Sequence, residues 1–461
     1  MAQSQSSPSE PSAERVTPQE PELLRHMVRS PGYLTSLGLS ALVGIPVSLA
    51  AFWFLVALHQ LEHALWTDLP EALGRDTPPW WWPLPLLLVA GTLVGLIVTH
   101  LPGKGGHVPA GGVSVGGFSA NALPGVLLAA LVALPLGAVL GPEGPLIALG
   151  GCLALVFRNL ARMPATPHTA ALLGAAGSAA AISAIFGNPL IAAVLLIEVA
   201  GVGGPRLFAV VLPALLASGI GSLVFTGLGH WTGLGTGSLS VPFDQPLPRL
   251  DAPDVGWTLV VAAAVALCMH PFLAAARAIA AHVARRPLGR TVLCALGAAI
   301  CCVLYALTTG RSTANVALSG QATLADLASR PEAWGIGALI ALVLFKGVAY
   351  TLCLAALRGG PVFPALCLGA AAGLVLAPLP GLGVVPAMAA GMAAAAVTAL
   401  RLPVSSVVLV VLVLGTSAMI PVVIIAVVVA FVVSELLPEW PAKPAVPAAP
   451  AAPAARAGDP G

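Results

Sequence analysis

The stretch LGPEGPLIALGG, residues 140–151, places two Gly-Pro pairs around one carboxylate, Glu143, in otherwise apolar surroundings. A Gly-Pro break ends one helix and opens the next. If the second helix runs from Glu143 to the basic loop at Arg158, its ~15 residues rise ~22 Å. Glu143 then sits at a helix N-terminus most of the way across a bilayer. Free amides and the positive end of the dipole make such a terminus an anion site. A carboxylate placed there occupies that site itself, and leaves it when protonated or displaced. The plainer reading is a capping Glu.

The rest of the chain supplies the membrane. Of 461 residues, 58% are hydrophobic and 8% charged, with a mean hydropathy of +0.96. An ordinary soluble domain carries about 25% charged residues, so the apolar excess must face lipid. With a formal net charge of +2 and no basic stripe, nucleic acid is excluded as a partner. The seven cysteines sit in apolar stretches without metal or disulfide spacing and read as small core residues. No cofactor motif stands in its required context.

Residues 1–30, rich in Ser, Pro, Gln and Glu, read as a disordered cytoplasmic start, and the Pro/Ala-rich 441–461 as a disordered tail with no regulatory domain following the membrane part. Between them, 31–440 forms the membrane domain. Its apolar segments fall at 36–61, 84–101, 121–140, 146–157, 169–185, 189–201, 207–228, 256–283, 291–309, 335–357, 365–378, 385–400 and 403–437. Several are well short of the ~20 residues a spanning helix needs. Broken helices are tolerated at depth only where the freed backbone is buried or lines a cavity, as in transport proteins. Basic residues at Arg25–Arg29, Arg158–Arg162, Arg206 and Arg285–Arg290 mark the cytoplasmic side, which puts both termini in the cytoplasm of a cell-membrane protein; acidic residues at Glu62–Asp76 and Asp244–Asp254 mark the outside.

An internal repeat is also legible. GNPLIAAVLLIE (187–198) and RLPVSSVVLVVL (401–412) each follow an Ala-rich segment, and upstream of each lies a Gly/Pro break, GPEGP (141–145) and GGPVFP (359–364). Two related halves, about 31–230 and 256–440, would put a substrate path where they meet.

Glu143 and Glu198 are the two acidic residues between Asp76 and Asp244. An ionisable group inside a membrane is a functional-site hypothesis by default. Glu198, near the end of its helix and shortly before Arg206, reads more simply as an interfacial ion pair. LPGKGGHVPAGG (101–112), with Lys104 and His107, is either a loop or a set of backbone amides offered to an anion. Lys346, alone in an apolar run, either snorkels or adds a field favourable to anions. GVSVG (112–116) fits a nucleophile elbow around Ser114, but that elbow needs a soluble α/β sheet. An intramembrane hydrolase using Ser114 and a cation transporter using the two carboxylates are therefore the readings of another class.

These residues resemble the CLC family of chloride channels and chloride/proton antiporters over roughly 36–437. The family's signatures GSGIP, GREGP and GxFxP are similar to GGHVP (105–109), GPEGP (141–145) and GPVFP (360–364), in that order, and NPL (188–190) with IEV (197–199) follows the family pattern. The resemblance implies an all-α inverted repeat of many tilted and broken helices, assembled as a homodimer with one pore per subunit and needing no cofactor. It implies that Glu143 is the gate, with Gly105, Gly106, His107, Val108, Gly141, Gly144, Val362 and Phe363 around the anion. Departures accompany it. The coordinating Ser of GSGIP is Gly106, the next Gly is His107, and the Phe of GxFxP moves to Phe363 with Val362 in its place. No Tyr follows Tyr350 to supply the family's pore tyrosine. The position matching the antiporters' internal proton glutamate is Val199, directly after Glu198, which favours a chloride channel over chloride/proton exchange. His107 is then the residue available as a replacement proton relay.

Overall fold

The computed structural model describes residues 25–26, 28–113, 115–116, 119–162, 166–200, 205–236, 241 and 250–438. They fold into helices: α1 Pro31–His63, α2 Pro83–His100, α3 Leu123–Ala133, α4 Glu143–Leu160, α5 Pro167–Phe186, α6 Pro189–Ala200, α7 Pro205–Thr232, α8 Ala252–Val283, α9 Pro287–Thr309, α10 Gln321–Ser329, α11 Ile336–Ala356, α12 Val362–Leu376, α13 Val384–Leu400, α14 Pro403–Leu414 and α15 Ile420–Leu436. Among the described residues eight helical runs are long and apolar enough to cross a membrane. This is an all-α, multi-pass membrane protein. α1 continues through a π-turn at Ala64–Asp68 and a last turn at Leu69–Ala72. The other apolar helices are short. α6 and α14 have 12 residues each, about 18 Å of rise against a hydrocarbon layer of about 30 Å.

Local chemistry explains where the helices break. Proline opens many of them, where its missing N–H costs nothing; Pro167 does so for α5 with Thr166 as N-cap, its hydroxyl accepting from Thr169 N at 3.2 Å. The apolar run 403–437 divides at Gly415, which adopts φ 65° and ends α14. In the run 121–140 the helix stops at Ala133, because Pro135 cannot continue the ladder and Gly137 turns with φ 103°. The freed Pro135 carbonyl accepts the Trp66 indole N–H at 2.8 Å. α10 is the helix that hydropathy does not announce, since Gln321, Asp326 and Ser329 interrupt its apolar residues.

The described residues group into two compact units. The first takes those of Met1–Val56, Val115–Leu123 and Leu146–Ser238; the second takes those of Ala57–Ser114, Pro124–Pro145 and Leu239–Gly461. Within the first, α4 meets α5 at Gly150 and Gly177, and a Cβ on Gly177 would fall 2.9 Å from the Gly150 carbonyl carbon. Within the second, α12 meets α13 at Gly369 and Gly391, and a Cβ on Gly391 would fall 3.0 Å from the Gly369 carbonyl carbon. Small residues at such crossings let backbones pack where lipid gives no hydrophobic drive between helices.

The two crossings are copies of one design. α5 ends at Gly187 and α13 at Arg401, both in left-handed backbone, and Pro189 and Pro403 then open the equal-length helices α6 and α14. The sequence repeat is thus expressed, in each unit, as a glycine crossing, a left-handed turn and a short proline-opened helix.

Candidate functional site

The two Gly/Pro breaks of the repeat meet within the second unit. Gly141 and Gly360, equivalent positions in GPEGP and GPVFP, pair reciprocally: Gly141 N donates to Gly360 O at 2.9 Å and Gly360 N to Gly141 O at 2.6 Å. This bridge ties the start of α4 to the start of α12. Gly144 brings α4 closer still, since a Cβ there would meet the Gly359 carbonyl oxygen at 2.6 Å. Tyr350, fully buried on α11, props the same turn by donating its hydroxyl to Pro361 O at 2.7 Å.

Glu143 is only 1% exposed. Its Oε1 accepts from Val362 N, and from Phe363 N at 3.4 Å. These are the first amides of α12, which no carbonyl within the helix can satisfy. Among the described residues Oε2 has no hydrogen-bond partner. Gly360 forms the wall of this slot, because a Cβ there would lie 2.6 Å from Oε1; at Gly141 it would lie 2.7 Å from the carboxylate carbon and 2.6 Å from the Phe363 ring. Glu143 therefore opens one helix and docks on the N-terminus of another. Val362 and Phe363, both buried, contribute backbone amides to this slot.

The loop 105–108 also belongs to the second unit. Gly105 is buried with φ 72°, and Gly106 has φ 94° and ψ −164°, a region open to glycine alone. Gly106 packs on Val126, and a side chain there would be strained before any contact is counted. His107 lays its ring against Gly111. Val108 is half-buried and leads into the turn at Pro109. A cavity of about 310 Å³ opens beside this turn, lined by Pro109–Val113, Pro361 and the side chains of Arg277, Thr398 and Arg401, with no acidic residue among its lining.

Lys346 does not snorkel. It is fully buried, and its Nζ donates to the carbonyls of Asn315, Val316, Ala317 and Leu318 at 3.2, 3.0, 3.3 and 3.3 Å. The ammonium pins the loop ahead of α10. Each buried carbonyl left without a donor costs about 1–3 kcal/mol, so Lys346→Met is expected to lower the thermal midpoint by many degrees in detergent. An unchanged midpoint would show that the loop holds without it.

The remaining expectations fall elsewhere. Glu198 and Val199 are half-buried near the end of α6 in the first unit, and Glu198 is engaged in contacts there. The side chain of Arg206, its expected partner, and Ser114 lie outside the described residues. Among the described residues no three His, Cys, Asp or Glu side chains gather to hold a metal, and all seven cysteines are free thiols. Sequence reading missed Gly360, Tyr350 and Arg358. The Gly-Gly-Pro break signalled the first, but nothing in the sequence told that Arg358 is 6% exposed.

A family model described as voltage gated chloride channel matches residues 110–435. The chain belongs to the voltage-gated chloride channel family. The fold of this family member is similar to that of a slow cyanobacterial Cl−/H+ antiporter, with a TM-score of 0.71 and 17% identity over 87% of this chain and 94% of that one. It is also similar to a CLC-type fluoride/proton antiporter, with a TM-score of 0.66 and 22% identity over 88% of this chain and 97% of that one. In sequence it is 35% identical over 165 residues to the ion-transport protein YfeO of Salmonella newport (strain SL254), a match covering 34% of this chain and 38% of that relative's length. The two signatures that build the Glu143 slot, 141–145 and 360–364, lie inside the segment matched by the chloride channel family.

Proposed function

We propose that the protein moves chloride or a similarly small anion across the membrane through a passive pathway gated by Glu143. The observation that carries this reading is the Glu143 carboxylate on the first amides of α12. An anion arriving at that terminus competes with the carboxylate for the same donors, which replace its hydration water. The acid-free cavity beside Pro361 supports a route for negative ions toward the slot. The named function of the family supports the choice of chloride. In this reading the chain is a transport protein rather than an enzyme, its halves are about 31–230 and 256–440, and it works as a homodimer with one pathway per subunit.

Whether protons are exchanged turns on a second proton-carrying residue besides Glu143. Val199 holds no proton, which supports uncoupled permeation. Exchange of chloride for protons is the second reading, favoured by the partnerless Oε2 of Glu143, which can carry a proton, and by the likeness of the fold to two proton-coupled antiporters. It would need His107 or Glu198 as the second proton position.

Liposomes holding the purified protein test both. Under a chloride gradient with a potassium shunt, chloride is expected to leave without stoichiometric proton movement. Proton uptake against its gradient, driven by chloride efflux, would instead establish exchange. A cation-selective reversal potential would defeat the anion reading altogether.

A further inference from the structure

Arg358 stands on the turn between α11 and α12, two residues before the Gly360 wall of the Glu143 slot. It is 6% exposed. Its Nε donates to Lys104 O at 3.3 Å, and its Nη1 to Leu357 O at 3.1 Å and Ala356 O at 3.4 Å. The side chain lies along the 104–107 loop: a Cβ on Gly105 would meet its Cγ at 3.4 Å and its Nε at 3.5 Å. All the acceptors are neutral carbonyls. Among the described residues the ion pairs are His63 with Asp68, Arg330 with Asp326 and Arg401 with Glu435, so no carboxylate balances Arg358. A guanidinium does not shed its proton to escape burial. Its charge is therefore held in place and uncompensated by the protein.

The third nitrogen is the informative one. Nη2 makes no hydrogen bond among the described residues. Two N–H groups on a fixed cation, alongside Lys104 and Gly105, are thus left for a ligand. We propose that Arg358 is an anion ligand of the pathway, its Nη2 holding the permeating anion beside Gly105. This rests on the anion-transport reading above. A guanidinium is weakly hydrated and so suits weakly hydrated anions, chloride and nitrate ahead of fluoride.

The test is chloride efflux from liposomes as a function of chloride concentration, for the wild type, Arg358→Gln and Arg358→Lys. Loss of one charge-assisted contact is expected to raise the half-saturating chloride concentration about tenfold in Arg358→Gln, with a smaller change in maximal rate and partial rescue by Arg358→Lys. Wild-type flux with an unchanged half-saturation in Arg358→Gln would make Arg358 a structural pin and overturn the proposal; absence of anion flux in the wild type would sink the transport reading instead. Crystals of the wild type soaked in bromide give an independent answer that does not depend on the variants folding. An anomalous peak in contact with Nη2 is expected, and bromide bound elsewhere with Nη2 bare would overturn the assignment.

Discussion

Glu143→Gln is expected to raise chloride flux about 10- to 100-fold at neutral pH and to remove its dependence on pH. The size follows from the weakened hold on the two α12 amides, because hydrogen bonds to a charged acceptor are worth about 1.5–3 kcal/mol and each 1.4 kcal/mol is a factor of ten. A glutamine carbonyl still fits the slot on Val362 N and Phe363 N, but brings no charge to the end of the α12 dipole and yields to a passing anion. The wild type is expected to reach the same state in acid, when a proton neutralises the carboxylate. Flux is therefore expected to rise as pH falls in the wild type and to stay flat in Glu143→Gln between pH 5 and 8. A variant that retained the wild-type pH profile would show that Glu143 is not the gate.

Gly360→Ala is expected to reproduce that phenotype with the carboxylate intact. Its methyl group would fall 2.6 Å from Glu143 Oε1 and closer still to the side-chain carbons, all of them packed against a backbone that the Gly141 bridge holds fixed. The side chain must then swing out of the slot, leaving the α12 amides to anions. The double variant is the sharper measurement. If Gly360→Ala acts only by expelling Glu143, adding it to Glu143→Gln changes flux less than it does alone, a coupling read directly from the cycle. Equal effects in both backgrounds would mean that Gly360 shapes the pathway independently of the gate.

The sequence disclosed Glu143 because a membrane charge stands out by its cost, and the Gly/Pro breaks because proline and glycine punctuate any helix. The repeat was legible for the same reason, and it appears as matched glycine crossings and paired short helices. The partner of Glu143 was not legible in residue identities, since Val362 and Phe363 act through amides that every residue but proline possesses. Gly106 marked a lost serine in the order of motifs, but only its backbone angles reveal that the loop excludes a side chain there. Lys346 left two readings open, and four converging carbonyls remove the snorkelling one. Arg358 was silent because an arginine beside Gly-Gly-Pro reads as an ordinary loop cation. Its burial depends on a loop 254 residues away along the chain.

The Glu143 contact also sets a schedule for making the protein. The carboxylate and the amide that receives it are separated by 219 residues, and a ribosome adding about 5–20 residues per second needs roughly 10–45 s to bridge that interval. During that time α4, the least hydropathic of the eight spans, holds an acidic group whose receptor has not been translated. A nascent chain stalled before residue 360 therefore carries an orphaned carboxylate at the end of an inserted helix. Translation of Val362 and Phe363 supplies the amides that receive it, so the first half of the chain cannot complete its own site.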